Sequence, residues 1–475
     1  MKNTHHCYHV RDFGAVGAAV PGRVLKLEVL QHVDWFFPET DYTVYELREG
    51  AELDSAGIQR AIDAAHANGG GTVVVPPGDY LVGPIRLCSN IELHLAPGAR
   101  LWGSTVLEDY YGATQKIDGF VSNVGPGVDD IVGDGTGRTP ARLLEAVDAE
   151  NVSFTGRGQI SAQGPAFFIP WMNRERQGPL HRPQEMIVFK NCRNALVRDV
   201  FIKDSAYWTL LFEDCDGVQV RGIRMHHFDG PNADGIDISA SSNVLISDCH
   251  LHVTDDAICL KNVRTDYTVR NVAVTNCIIR TICNGIKIGT DTWGDFEDIT
   301  FSNVVIANPD GDVNTAMGGI NINCVDGGSV RRINVSNIVM KNVRCPFYLL
   351  TGKRTRYQGT VRTPQVGVME DISISHIQAF NTRYTSFVVG HPESAIRNVR
   401  LDDITLRRGR EFQEHIPDGP VPEKPEAYPE PWIFDELPAH GVYTRHVESF
   451  EATRLRLLTE KPDARPAMLQ EKSSS

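Results

Sequence analysis

Apolar and polar residues alternate in short runs along most of this chain, and the runs recur. From residue 150 onward they begin at Val152, Leu196, Val218, Val244, Val272, Ile299, Ile333, Ile372 and Val399. Each has an apolar–x–apolar core, as in Val272-Ala-Val, Ile333-Asn-Val and Ile372-Ser-Ile. A period of two marks a half-buried strand. Counted from Val218, the starts are 26, 28, 27, 34, 39 and 27 residues apart. One strand pattern repeated at a short period, stretched by insertions, predicts a β-solenoid. No coil of such a fold buries its apolar face alone, so the coils stack on a continuous core. Polar turns such as Asn191-Cys192-Arg193-Asn194 precede the repeated strands.

The pattern changes at both ends. Ser55 stands ahead of Ile58, Ala61, Ile62 and Ala65, the spacing of a helix over about 55–66 with a serine N-cap, stopped by Gly69-Gly70-Gly71. This helix is expected to cap the open N-terminal end of the solenoid. Stretches 20–50, 104–150 and 161–184 lack the repeat and are expected as inserted loops, the first as a loop or hairpin. One solenoid domain is expected over 1–410. Residues 411–475 are expected as an extended C-terminal segment lying on it, with a disordered end; they are rich in Pro and Glu around 421–431 and return to strand alternation at 441–447.

The chain has 475 residues, and 47 basic against 60 acidic side chains give a net charge of −13. That balance disfavours nucleic acid and anionic membrane as partners. No run of ~18 apolar residues is present, so no membrane span is expected. Residues 1–11 lack the apolar core of a secretion signal. The ten cysteines include no Cys-x-x-Cys pair, so neither a zinc nor a redox motif is supported. Together these point to a reducing, cytoplasmic setting. The cysteines are expected to be buried structural residues.

A second set of alternations carries the candidate chemistry. Asp234-Gly-Ile-Asp-Ile, Asp256-Ala-Ile-Cys-Leu-Lys and Asn284-Gly-Ile-Lys-Ile share the pairs Ile236/Ile238, Ile258/Leu260 and Ile286/Ile288. Aligned on those pairs, Asp234, Asp256 and Asn284 occupy one position, and Asp255 lies one place earlier. Strands of a parallel stack lie ~4.8 Å apart, so three carboxylates would converge on one surface. Like charges at that range raise each other's pKa. Single Asp residues commonly cap solenoid turns; three at aligned strand starts point to two-carboxylate glycoside hydrolysis, one protonated acid and one ionised base. Asp237 shares the outward face with Cys259 and Lys287 and is a potential ion-pair partner of that lysine.

These residues resemble the family 28 glycoside hydrolases, the polygalacturonase-like enzymes. Asn232-Ala-Asp234 resembles the family's Asn-Thr-Asp motif and Asp255-Asp256 its paired aspartates. Asp12-Phe-Gly-Ala-Val-Gly, Gly71-Thr-Val-Val-Val-Pro-Pro-Gly-Asp-Tyr and Ser205-Ala-Tyr-Trp-Thr add to the likeness, which covers most of residues 8–410. The resemblance implies an all-β fold, a single-stranded right-handed parallel β-helix. It implies Asp255 as general acid, Asp234 and Asp256 as the groups that position and deprotonate water, inversion at the anomeric carbon, and no metal or cofactor. The family's Gly-His-Gly is replaced by Cys283-Asn284-Gly285. Its Arg-Ile-Lys, which contacts the uronate carboxylate, is replaced by Asn321-Ile-Asn323. Two amides do not provide the charge-assisted bonds of Arg and Lys and suit sugar hydroxyls better.

The substrate-binding candidates are therefore Asn232, Asn284, Asn321 and Asn323. Lys261 and Lys287 join them as cations that can stand in for the missing pair. Trp208 offers an aromatic face to a sugar ring, and Arg182 comes from the insertion at 161–184. An exo-acting enzyme on pectic or related oligosaccharides is the expected activity, galacturonosidase-like, with an oligosaccharide as the partner. A lyase or epimerase on the same solenoid, and a non-catalytic carbohydrate-binding solenoid, are the alternatives. Oligomeric state is left open.

Overall fold

The structure is a computed structural model. It describes residues 6–28, 41–111, 130–132, 141–175, 180–228, 230–310, 315–354, 365–409 and 419–471. The fold is nearly all β, with long parallel sheets. The chain divides into two compact units, residues 1–237 with 249–255, and residues 238–248 with 256–475.

In the first unit the chain visits three parallel stacks in rotation. Gly71–Val75, Ile91–Leu95, Glu150–Gly156, Arg193–Arg198 and Asp216–Arg221 form one. Gly78–Val82, Ala99–Gly103, Gln159–Ser161, Phe201–Lys203, Arg224–His226 and His250–His252 form the second. Ile85–Leu87, Leu144–Val147, Ile187–Lys190 and Leu210–Glu213 form the third. Inward side chains meet in register: Leu93, Phe154, Val197 and Val220 lie in one fully buried column. The register corrects one repeat start. Ala195, not Leu196, faces Val218. Leu196 is the more apolar residue but points outward, because the pleat alternates sides strictly at each residue.

Helix α1 spans Ser55–Ala67 and turns Gly57, Ile58, Ala61, Ile62 and Ala65 inward, against the strands Cys7–His9 and Gly71–Val75. Of the expected insertions, 20–50 takes the hairpin alternative, 161–184 carries a helix in place of a loop, and the described part of 104–150 includes the strand Leu144–Val147. Ala19–Lys26 and Asp41–Leu47 form an antiparallel hairpin within 20–50. Pro165–Met172, within 161–184, forms α2. Tyr42, Val44, Phe168, Ile169 and Phe228 pack these elements into a small core of their own. Helix α2 is apolar on every side, which suits a buried helix.

The second unit repeats the winding with longer strands. Ser242–Ser247, Thr268–Thr275, Asp295–Ala307, Ser329–Lys341, Val368–Thr382, Ile396–Arg408 and Val447–Thr459 make one parallel run. Its register joins Val244, Val272, Ile299, Ile333, Ile372 and Val399, as the repeat predicts. Within those strands Asn303 and Asn337 hold φ of 55° and 56°, the left-handed turn that Asn tolerates best after Gly. Their amides join in a ladder, Asn337 Nδ2 donating to Asn303 Oδ1 at 3.2 Å.

The facing run contains β1 (Ile258–Asn262), β2 (Asn284–Thr292), β3 (Ala316–Cys324), β4 (Val343–Thr351), β5 (Ser386–Val389), β6 (Val442–Arg445) and β7 (Met468–Glu471). The C-terminal region thus adds strands to both runs, and its long irregular segment, 419–441, lies on the surface of the coils. It is held there by Ile433, Phe434 and Leu437, which pack on Tyr348, Phe387 and Tyr443. Of the expected disordered end (the last five or six residues), 472–475 lie outside the described residues, whereas Gln470 and Glu471 belong to β7. Among those residues no helix is long and apolar enough to cross a membrane, and all ten cysteines are free thiols.

Candidate active site

In the first unit the Asn232-Ala-Asp234 turn is pinned from three directions. Its backbone accepts hydrogen bonds from the coil before it: Thr209 N–H to Asp234 O and Leu210 N–H to Gly235 O, both at 3.1 Å. Thr254 ties the Asp255 segment to the same turn, with Oγ1 donating to Gly230 O at 2.6 Å and N–H to Ala233 O at 3.4 Å. Arg182 closes the third side. Its Nη1 donates to Ala206 O and Pro231 O at 2.7 Å each, and its Nη2 to Asn232 Oδ1 at 2.8 Å. Expected as a substrate contact, Arg182 is instead fully buried and acts as a strut for the turn. Asn232 holds a φ of 57°, and its side-chain oxygen is engaged by Arg182. Asp234 is buried and Asp255 half-buried.

Trp208 is half-buried and stacks parallel on Tyr207, centroids 5.6 Å apart. Tyr207 in turn receives the Arg182 guanidinium on its face at 4.7 Å. His227 lies beneath. Its Nδ1 accepts from Ser205 N–H at 3.4 Å, so Nε2 carries the proton and donates to Thr209 Oγ1 at 2.9 Å. Burial lowers its pKa to about 3. It is a neutral, satisfied structural histidine, as a loop His usually is.

In the second unit Asp256 is the centre. It is buried, and each carboxylate oxygen has its own donor: Asn284 Nδ2 on Oδ1 at 2.7 Å, Lys287 Nζ on Oδ2 at 2.6 Å. Burial by itself raises the pKa of Asp256. The charges of Lys287 and Lys261 and the two hydrogen bonds outweigh it, and the net shift is downward. Lys287 shows the reciprocal: burial lowers its pKa, but Asp256 drives it well above the ordinary lysine value. The pair therefore exists as ions. Lys287, expected to meet substrate, is placed on Asp256, and Asn284 likewise. A cation beside Asp256 would meet the Lys287 ammonium, so this carboxylate does not suit a metal.

Lys287 belongs to an outward row in which Cys259, Lys287, Asn321 and Tyr348 are register partners on β1 to β4. Asn323 Nδ2 donates to Asn321 Oδ1 at 2.9 Å, and both residues are fully buried. Among the described residues, Asn321 Nδ2 and Asn323 Oδ1 have no hydrogen-bond partner. Lys261 is buried on β1.

Three features of this unit were not foreseen. Tyr348 Oη lies 3.4 Å from Asn284 Oδ1 and 3.5 Å from Pro429 O. Tyr428, from the 419–441 segment, reaches Thr290 Oγ1 at 2.9 Å while its side chain stays 40% exposed. Arg354 is buried and bidentate on Asp326 at 2.8 Å, with Asp291 at 3.0 Å. The outward position of Tyr348 could have been read by carrying the Lys287–Asn321 register one coil further. Nothing local marks Tyr428 or the Arg354 cluster.

Residues 130–417 match the glycosyl hydrolases family 28. The chain belongs to this family. It is similar to a probable polygalacturonase of Arabidopsis thaliana, 26% identical over 267 residues, 53% of this chain and 55% of the relative. It is also similar to an exo-poly-α-D-galacturonosidase of Dickeya chrysanthemi, 23% identical over 362 residues, 66% of this chain and 56% of the relative. The chain thus spans little more than half the length of these curated relatives. Among solved structures it resembles a hyperthermoactive exopolygalacturonase of Thermotoga maritima, with a TM-score of 0.62 and 21% identity over 85% of this chain and 87% of that one. That likeness establishes the shared fold.

Proposed function

We propose that this family 28 member is an inverting glycoside hydrolase that acts from chain ends on pectic or related oligosaccharides. The observation that carries the reading is Asp256: a buried carboxylate held as an ion by Lys287 and Asn284, directly after a half-buried Asp255 in the chain. One group suits the base and the other the acid. In this reading the Asp255 carboxyl proton passes to the glycosidic oxygen as the bond to the anomeric carbon breaks. Water attacks that carbon from the opposite face, and its proton passes to Asp256 or Asp234. In this reading α1, packed on Cys7–His9 and Gly71–Val75, caps the coils of the first unit.

Exo-action draws support from the 419–441 segment. It packs over Tyr348, Phe387 and Tyr443 of β4 to β6, and so covers the outward face just beyond Asn321. A substrate lying along β1 to β3 would meet a wall on that side. The relatives' names supply the substrate class. The test is a product profile on homogalacturonan, rhamnogalacturonan and neutral oligosaccharides, with Asp255→Asn as control. Release of one monosaccharide from the earliest time points, lost in the variant, is expected. Early appearance of mid-sized fragments would refute exo-action, and turnover by Asp255→Asn at the native rate would refute the acid assignment.

A further inference from the structure

We propose that Lys287 is a positioning residue for the reaction, fixing Asp256 in one orientation and in its ionised form. The inference rests on the hydrolase reading for its catalytic consequence, but the ion pair is testable without turnover.

Asp256 needs such a partner because its surroundings oppose its charge. It is 3% exposed, and a buried carboxylate without a countercharge takes up a proton well above its ordinary pKa. Asn284 donates a hydrogen bond from an uncharged amide, to Oδ1. That bond favours the ionised carboxylate, but position 284 brings no countercharge of its own to offset burial. Lys287 lies three residues along the same strand and meets the other oxygen. With one donor on each oxygen, the carboxylate cannot rotate without breaking both bonds. Other charged and titratable groups surround the pair: a carboxylate oxygen of Asp255, one of Asp256 and the Cys283 sulfur lie within 4.8 Å of one another. Lys261 and Cys259 come from β1, and Cys283 precedes Asn284. Tyr428 acts from the 419–441 segment, where Glu430 bears on both Tyr428 and Tyr348. Of the two lysines, Lys287 makes the 2.6 Å contact and exerts the larger charge effect on Asp256.

The consequence concerns pH. A base must be unprotonated, so the acidic limb of kcat/KM reports its pKa in the free enzyme. An opposite charge at this range lowers a carboxyl pKa by ~1–3 units. Lys287→Met keeps the length of the side chain and removes the charge. Its acidic limb is expected to move up by at least one pH unit, a loss of about tenfold in kcat/KM one unit below the wild-type limb. Lys287→Arg, which keeps the charge, is expected to restore the limb. A merely structural lysine would lower kcat at every pH and leave the limb where it was.

The second readout is stability against pH, taken as the difference between each protein and the same protein carrying Asp256→Asn. In the wild type the folded pKa of Asp256 is depressed, so its contribution is present above the unfolded value of ~3.9 and is lost as pH falls through the folded value. In Lys287→Met the folded pKa rises above the unfolded one, so the contribution falls as pH rises. The sign of the slope reverses. Lys287→Met/Asp256→Asn, with neither charge, keeps the comparison measurable if Lys287→Met alone folds poorly. An unmoved acidic limb, or an unchanged sign of slope, would overturn the proposal. If the wild-type protein hydrolyses none of the glycans, the hydrolase reading fails and the slope still decides whether Lys287 holds Asp256 ionised.

Discussion

Replacing Arg182 with alanine removes the strut under the Asn232-Ala-Asp234 turn. Three acceptors lose their donor, the carbonyls of Ala206 and Pro231 and the side chain of Asn232, at native distances of 2.7, 2.7 and 2.8 Å. Leaving a buried polar group without its partner costs ~1–3 kcal/mol. The stacking on Tyr207 at 4.7 Å is lost as well. Water entering the guanidinium-sized space returns part of this, and the expected net loss is ~4 kcal/mol, close to three powers of ten in an opening equilibrium. Native-state hydrogen exchange reads it locally. The Thr209 and Leu210 amides bond to Asp234 O and Gly235 O, so they report when the turn lifts. Their protection is expected to fall ~100–1,000-fold in Arg182→Ala, while amides of the β5–β6 pairing in the second unit stay as they were. Arg182→Lys supplies one point charge in place of a fork and is expected to fall between the two. Unchanged protection at Thr209 and Leu210 in Arg182→Ala, or wild-type protection in Arg182→Lys, would refute the reasoning.

Two further outcomes are expected. His227 is held neutral, with a folded pKa of about 3 against an unfolded value of ~6.5, so the unfolded chain binds the extra proton and stability falls as pH drops from 6.5 toward 3. The slope is up to ~1.4 kcal/mol per pH unit; urea midpoints at pH 6.5 and 5 should converge when His227→Gln is compared with wild type, and equal slopes would count against the assignment. Gly289→Ala would drive a Cβ into Asn323 Oδ1 at a φ of +112°, a cost of ~2–4 kcal/mol from strain and displacement together. A midpoint within error of wild type would show that Asn323 yields freely.

The alternation of side chains is a local property of the strand. Val272, Ile299, Ile333, Ile372 and Val399 could therefore be aligned by eye and are register partners in the structure. Helix α1 was legible for the same reason: its apolar stripe, Ile58, Ala61, Ile62 and Ala65, lies within four turns of chain. The Leu196 start failed where two apolar neighbours, Ala195 and Leu196, competed for one inward position. Hydrophobicity favours the larger residue, while the pairing with Val218 chooses the smaller. Helix α2 was read as a loop, and 20–50 as either a loop or a hairpin, because their order comes from one another, through Tyr42, Phe168 and Phe228, and not from any period within either.

By itself, then, the sequence determined the repeated parallel strands of the second unit and their spacing, since the inward positions follow from the alternation within each strand. Tertiary structure alone decided what the polar side chains do. Lys287 turns to Asp256, Arg182 is drawn inward to three oxygens, and 419–441 brings Tyr428 to Thr290 from 138 residues away in the chain. A long charged or phenolic side chain has several partners within reach of its backbone position. Which one it takes depends on what burial removes from water around it, and that is set by segments the local pattern does not contain.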